Sequence, residues 1–239
     1  TLDLTKVADL GTDYSAYGIK ANNKTTIVVD SNKTNPGKNG TITIKAKTLW
    51  SPSGDSGSKY TAAHGIAVGN FSQRFNKKVS EDLVKTTINA DVVIEELRGG
   101  SIKTTGISSM DCSDLAINGR FTIKPGAISL MQWNRGDQSK TYGIYMIGSN
   151  NTISITSADI DDSKNGSLSD LIKTDESLWG GKTEKNVLRI GGGTLKVKEN
   201  QKERYLISAA KGFRTFINVN QDGSAIGISK ADLQGTIRM

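Results

Sequence analysis

The sequence predicts an all-β fold: a solenoid of short parallel strands stacked into three sheets, reading as a single domain over residues 1–239. Three observations predict it. Strand-like units of about five residues recur in a constant order, with irregular insertions between them. Within many units apolar residues alternate with Thr or Lys, the period of a strand with one buried and one wet face. Isoleucines number 24 against 15 leucines, and Gly, Ser, Thr and Asn make up 90 of the 239 residues. That mixture supplies pleated strands and tight turns.

The first unit in order is an aromatic residue or His, then Gly, then Ile. It appears as Tyr17-Gly18-Ile19, His64-Gly65-Ile66 and Tyr142-Gly143-Ile144. Asn follows each within a few residues, as Asn22-Asn23, Asn70 and Asn150-Asn151.

The second unit reads Thr25-Thr26-Ile27-Val28-Val29, Asn151-Thr152-Ile153-Ser154-Ile155 and Thr215-Phe216-Ile217-Asn218-Val219. A fourth copy starts at Thr86-Thr87-Ile88, displaced by an insertion at 71–85. The third unit opens on Gly and alternates strictly: 40–46, 100–104, 119–124, 193–198 and 235–238. Ala-Asp-Leu/Ile recurs at 8–10, 158–160 and 231–233.

Asn-Gly and Asp-Gly pairs could instead signal the tight hairpins of a sandwich. Asn39-Gly40 and Asn118-Gly119, however, stand directly before third-unit strands, where they begin strands rather than join hairpins. Unit order favours stacking, each kind upon its own copies. The spacing is consistent with coils of about 20–25 residues. Some 8–10 coils at about 4.8 Å each would make a rod roughly 40–50 Å long.

Two insertions stand out. Phe71, Phe75, Val79, Leu83 and Val84 follow helical spacing, so 71–85 is the best candidate for a short amphipathic helix. Segment 163–186 is polar and reads as a long, partly helical excursion. Strand-like sequence at both ends, including Ile237-Arg238-Met239, suggests a stretch excised from a longer solenoid.

Composition excludes several functions. No apolar run reaches membrane-spanning length. One cysteine, Cys112, excludes an internal disulfide framework and any cysteine-rich zinc site. One histidine, His64, excludes a mechanism needing two imidazoles. The net charge of +7 fits a solvated, Lys-rich surface. Basic residues do not cluster, so no dedicated nucleic-acid site is expected.

The Tyr-Gly-Ile and Thr-Ile-x-Ile/Val units, with Gly100-Ser101-Ile102-Lys103-Thr104-Thr105-Gly106 and Gly192-Gly193-Thr194-Leu195-Lys196-Val197, give the chain a family likeness. It resembles the passenger regions of monomeric autotransporter adhesins of Gram-negative bacteria. The resemblance covers most of the chain as a style of sequence rather than a fingerprint. It implies a right-handed parallel β-helix of the three-sheet, pectate-lyase-like kind. It also implies display outside the outer membrane, and a signal peptide and β-barrel anchor not in this sequence. Adhesion, aggregation or biofilm formation is the implied role.

Candidate contact residues sit beside loops. Trp50, Trp133 and Trp179 can stack on sugars or anchor a partner. Arg135-Gly136-Asp137 has the form of an integrin-recognition tripeptide, so Arg135 and Asp137 join the candidates. Loops 50–60, 71–85, 132–140 and 163–186, and Lys rows on outer faces, would carry the contacts.

Other motifs read as structural. Gly54-Asp55-Ser56-Gly57 matches a protease nucleophile motif but precedes His64, in reverse order, and lacks its companions. His64 occupies the place of Tyr17 and Tyr142, a stacking position. Cys112 lies between two acids, which raise a thiol pKa. Asp159, Asp161, Asp162 and Asp170 read as a polar turn, with a calcium site as the alternative.

The reading is a non-enzymatic adhesive segment that needs no cofactor or metal. Its partner would be a host or bacterial surface glycan, protein or other extracellular polymer. A polysaccharide lyase or hydrolase on the same fold, and a spacer without a ligand, are the alternatives.

Overall fold

Apolar alternation can be satisfied only if each strand finds a neighbour in matching register, and the strand pairings meet that demand. A computed structural model describes residues 1–3, 15–22, 25–30, 40–47, 62–70, 82–98, 104–126, 141–164, 168–175, 186–198, 205–208, 214–217, 231–234 and 237–238. After β1 (Leu2–Asp3), strands follow in repeating sets. The first two sets are β2 (Ser15–Ala21), β3 (Thr26–Asp30) and β4 (Thr41–Lys47), then β5 (Ala62–Gly69), β6 (Val84–Asn89) and β7 (Asp91–Arg98). Two sets fuse their later strands: β8 (Thr104–Met110) with β9 (Ser113–Pro125), and β10 (Thr141–Ile147) with β11 (Thr152–Asp161). The next are β12 (Asp170–Asp175), β13 (Val187–Ile190) and β14 (Gly193–Lys196), then β15 (Tyr205–Ser208), β16 (Arg214–Ile217) and β17 (Ala231–Gln234). Strand β18 (Ile237–Arg238) ends the series.

The fold is all-β, with parallel strands in stacked sheets and no helix among the described residues. The first strand of each set joins a seven-stranded sheet, β18-β15-β12-β10-β8-β5-β2. The remaining strands form an eleven-stranded sheet. Three sheets were expected; two hydrogen-bonded ones are observed among the described residues. Strands β9 and β11 each run through both ladders of the larger sheet and fuse them, with a register shift between Ile155 and Ser157 in β11.

Isoleucine holds the register. In the smaller sheet Ile19, Ile66, Ile107, Ile144, Ile172, Ile207 and Ile237 pair in succession. In the larger sheet one ladder runs Val29, Ile88, Ile117, Ile155, Ile190, Ile217. The other runs Leu2, Ile44, Ile94, Ile123, Ile160, Leu195, Leu233. Most of these side chains are fully buried in one continuous core.

Several units change place. Thr104 begins β8, whose Thr105-Gly106-Ile107 is a first-unit strand rather than a third. Residues 100–103 lie outside the described residues. Ile237-Arg238 likewise belongs to the smaller sheet. The Ala-Asp-Leu/Ile echoes at 158–160 and 231–233 are third-unit strands that flank β14; that at 8–10 lies outside the described residues. Ile88 and Ile217 pair two residues further along than expected, on the same face. A local pattern fixes which face is buried, but only the pairing partner fixes sheet and register.

Repeat length also differs. In the smaller sheet, ladder isoleucines are 28 residues apart at the shortest (Ile144 to Ile172) and 47 at the longest (Ile19 to Ile66). Among the described residues the smaller sheet has seven levels, against the eight to ten coils expected, a stack of roughly 29 Å at about 4.8 Å per step. The helix expected over 71–85 is not seen where it can be checked: Leu83 is exposed and Val84 opens β6, while 71–81 lie outside the described residues. The excursion expected over 163–186 contains β12, a full member of the smaller sheet. Leu171 and Ile172 are core residues of that strand, so the apolar pair expected in a partly helical excursion belongs to the sheet.

The smaller sheet departs from strict alternation. Ile144 and Met146 belong to the main core, while Tyr142, Tyr145 and Ile147 form a separate buried cluster on the other side. Gly143 also points inward, since a Cβ there would meet the Ile160 and Ile123 side chains. Gly and Ile are thus consecutive inward residues. The fit at Gly106 is close: an added Cβ would lie 2.6 Å from Ile123 Cδ1 and 2.7 Å from the Gly143 carbonyl oxygen.

One core position is mismatched. Thr86 stands between Ile27 and Leu115 in its ladder, and its hydroxyl is buried with no hydrogen-bond partner. Chemical denaturation of two variants tests this packing, with opposite signs expected. Gly106→Ala should lose about 1–3 kcal/mol through overpacking. Thr86→Val keeps the β-branched shape and removes the orphaned hydroxyl, and should gain about 1 kcal/mol.

Candidate functional site

The break in alternation decides what the smaller sheet shows on its outer side. One outward column reads Tyr17, His64, Thr105, Tyr142, Asp170, Tyr205. The next reads Lys20, Ala67, Ser108, Tyr145, Lys173, Ser208. Aromatic and charged side chains therefore share one flat face.

At one end the Tyr17 and His64 rings stack, with centroids 5.1 Å apart and planes 17° apart. His64 Nδ1 is hydrogen-bonded to Thr105 Oγ1 at 2.8 Å. The stacking role expected of His64 is the one observed. Lys20 Nζ lies 4.2 Å from the Tyr17 ring centroid, a cation–π contact. Lys20 is exposed, and Tyr17 and His64 are half-buried.

Further along, Tyr142 and Tyr145 stack at 5.0 Å but are buried. The Tyr145 hydroxyl donates to Asp175 Oδ2 at 2.8 Å. Lys173 Nζ lies 3.2 Å from Asp175 Oδ1 and donates to Ser208 Oγ at 3.3 Å. A phenol, an ammonium and a carboxylate converge there, with Lys173 and Asp175 partly open to solvent.

The outer face of the larger sheet differs. Lys45 pairs with Glu95, Glu95 with Lys124, and Asp161 with Lys196. Lys124 Nζ is 3.2 Å from Glu95, and Arg120 Nε is 3.4 Å from Asp159. Among the described residues the expected Lys rows are interleaved with acids and form no cationic stripe. Such exposed pairs contribute little stability.

The four acids considered for calcium serve separate local roles. Asp159 pairs with Arg120 and accepts the Thr194 N–H. Asp161 accepts from Ser163, whose hydroxyl chiefly holds the carboxyl below its ordinary pKa. Asp162 accepts the Leu168 N–H, and Asp170 the Tyr205 N–H. Among the described residues no group of three or more His, Cys, Asp or Glu could hold a metal ion.

Trp50, Trp133, Arg135, Asp137 and Trp179 lie outside the described residues, as do Gly54-Asp55-Ser56-Gly57 and Arg135-Gly136-Asp137. The residues that sequence reasoning passed over are Lys20, Tyr145, Lys173 and Asp175. A signal existed. Tyr142-Gly143-Ile144-Tyr145 recurs as Asp170-Leu171-Ile172-Lys173 and Tyr205-Leu206-Ile207-Ser208, once Leu is allowed in place of Gly.

Comparison of the chain with protein-family models, with curated proteins and with solved structures gave no match.

The turn between β8 and β9 holds the buried Cys112 and Asp111, both at positive φ (55° and 37°). Burial pushes the Asp111 pKa upward, and the hydrogen bond from the Ser149 N–H (2.9 Å) opposes that only in part. A carboxyl whose pKa rises on folding contributes stability that is present at acid pH and lost as pH climbs through the raised value. Asn at 111 keeps the acceptor, tolerates positive φ and carries no charge. Asp111→Asn should therefore melt higher than the natural chain at neutral pH. The gap should close as pH falls through the carboxyl range, as followed by thermal melts across pH.

Proposed function

We propose that this chain is a surface-displayed right-handed parallel β-helix that acts as a non-enzymatic adhesive segment. It would belong to the passenger region of a Gram-negative autotransporter, anchored by a β-barrel elsewhere in the parent protein. Its partner would be a glycan, protein or other polymer on host or bacterial surfaces, and it would work outside the cell.

The observation that carries this reading is the outer face of the smaller sheet. There Tyr17, His64 and Lys20 form an aromatic and cationic group on a rigid strand platform, partly open to solvent. Sugar rings and extended polymers are recognised by flat aromatic groups with a few charged neighbours. The sequence resemblance points the same way.

One observation favours an alternative. Tyr145, Lys173 and Asp175 converge on the same face. A β-helical polysaccharide lyase or hydrolase would need such an acid, base and phenol together. Chain-length loss of a uronate polymer incubated with the protein and calcium would support that alternative.

Cell binding by beads coated with the chain tests the main reading. Beads should bind host or bacterial cells, and Tyr17→Ala/His64→Ala beads should bind about tenfold more weakly, the worth of one aromatic group. Equal binding by a folded double variant would remove this face from the account. No binding to any cell would leave the spacer reading.

A further inference from the structure

We infer that the Tyr17, His64 and Lys20 group takes an acidic polysaccharide, one carrying carboxylate or sulfate, and that protonation of His64 tightens its grip. The inference rests on the adhesive reading of this face. It adds the class of polymer and the condition under which it is held.

Ring orientation is the first observation. Tyr17 and His64 stack with centroids 5.1 Å apart and planes 17° apart, and Lys20 Nζ lies over the Tyr17 ring at 4.2 Å. The two rings belong to successive levels, so they stack along the ladder and turn their edges outward. Much of their face area is spent on each other and on the ammonium. A ligand arriving from outside therefore meets ring edges and polar tips before it meets a ring face.

Those tips are donors. His64 Nδ1 is hydrogen-bonded to Thr105 Oγ1 at 2.8 Å, so an outside contact with the imidazole must use Nε2. An Nε2–H, an ammonium and a phenol O–H together suit an oxyanion, which accepts charge-assisted hydrogen bonds. A neutral sugar held by a ring face suits this group less. The net charge of +7 draws acidic polymers toward the chain as a whole. On the larger sheet, Lys124 lies 3.2 Å from Glu95 and Arg120 3.4 Å from Asp159, carboxylates that would repel the same ligand.

Regulation follows from the imidazole. His64 is the one histidine of the sequence, and histidine is the side chain that gains its charge between pH 8 and 5. The described groups facing it are the Tyr17 phenol and the Lys20 ammonium of β2, and the uncharged Thr105 and Ser108 of β8. Strands β4, β6 and β9 meet β5 from its core side. A charged His64 keeps its bond to Thr105 as the donor, and it adds a positive charge beside the ligand. Binding of an anionic polymer should therefore strengthen as pH falls.

Fluorescence anisotropy of labelled polygalacturonate, dextran sulfate and neutral dextran with the full chain, at about pH 5.5 and 7.5, tests this. Both acidic polymers stay ionised over that range, so a pH step belongs to the protein. The proteins compared are the natural chain, His64→Gln, Lys20→Gln and Lys124→Gln. None of these positions lies in the core, so each variant should fold. The natural chain should bind an acidic polymer, bind neutral dextran far more weakly, and bind roughly three- to tenfold more tightly at the lower pH, the worth of one added charged contact. His64→Gln keeps a polar side chain without the titration and should bind equally at both pH values. Lys20→Gln should weaken binding at both, whereas Lys124→Gln, with the same net charge, should not. Binding to polygalacturonate alone supports the inference with carboxylate as the group held, and binding to dextran sulfate alone supports it with sulfate. A pH step that survives in His64→Gln would belong to another group, such as the buried Asp111 carboxyl, and would overturn the inference. Equal weakening by Lys20→Gln and Lys124→Gln, neutral dextran bound as tightly, or no acidic polymer bound would overturn it too. Coated beads that bind cells while the polymers show no such selectivity would refute this inference and keep the adhesive reading. Selective polymers with beads that bind no cell would refute the adhesive reading alone.

Discussion

Everything in this fold depends on in-register parallel pairing of branched apolar side chains. A parallel strand pair leaves each inward residue in contact with its counterpart one level away, so like must sit on like. In the larger sheet a slip of one residue would turn the ladder isoleucines to the outside. In the smaller sheet it would place Ile107 in the inward position of Gly106. The Gly-Ile pairs resist that slip, since a Cβ at Gly106 meets both a core isoleucine and a neighbouring carbonyl. At the later levels Leu171 replaces that Gly, so the core need not be equally narrow along its length.

Corners pose the second constraint. Turning the chain from the smaller to the larger sheet buries backbone groups that the ladders cannot satisfy. Asparagine supplies the missing partners. Asn70 donates to the carbonyls of Asp82 and Asp111. Asn151 donates to the Ile147 carbonyl and accepts from Ser113. Asn186 accepts the Asn151 N–H and donates to the Gly148 carbonyl. Ser109 and Ser113 close the row with a short contact. This polar spine climbs the stack beside the apolar ladders. It fixes the corner at the levels where the connection is short and where it is long.

How much of this could be read from sequence follows from the same physics. Tyr17-Gly18-Ile19 and its copies marked the smaller sheet because aromatic, Gly and Ile have distinct jobs there. The Asn after each copy marked the corner. Asp170-Leu171-Ile172 escaped notice because its Leu and Asp break the letter pattern while keeping the geometry. Repeat length was misread because insertions at corners change chain length without changing rise. Lys173 and Asp175 were invisible as a pair, since neighbours on one strand face gain meaning only when Tyr145 and Ser208 stand beside them. Interleaving of Lys45, Glu95 and Lys124 likewise needs register, which no single strand contains.

The ladder account is tested most directly by distances along one outer column. Val28, Thr87, Ala116, Ser154 and Arg189 occupy successive levels of the larger sheet while spanning residues 28 to 189. Spin labels at Val28 paired in turn with Ser154 and Arg189, both away from the core, report those distances by pulsed electron resonance. The account expects narrow distributions, with the Arg189 pair longer than the Ser154 pair by about 4.8 Å, one step of a parallel stack. Broad distributions, or an order of distances that does not follow the levels, would contradict it.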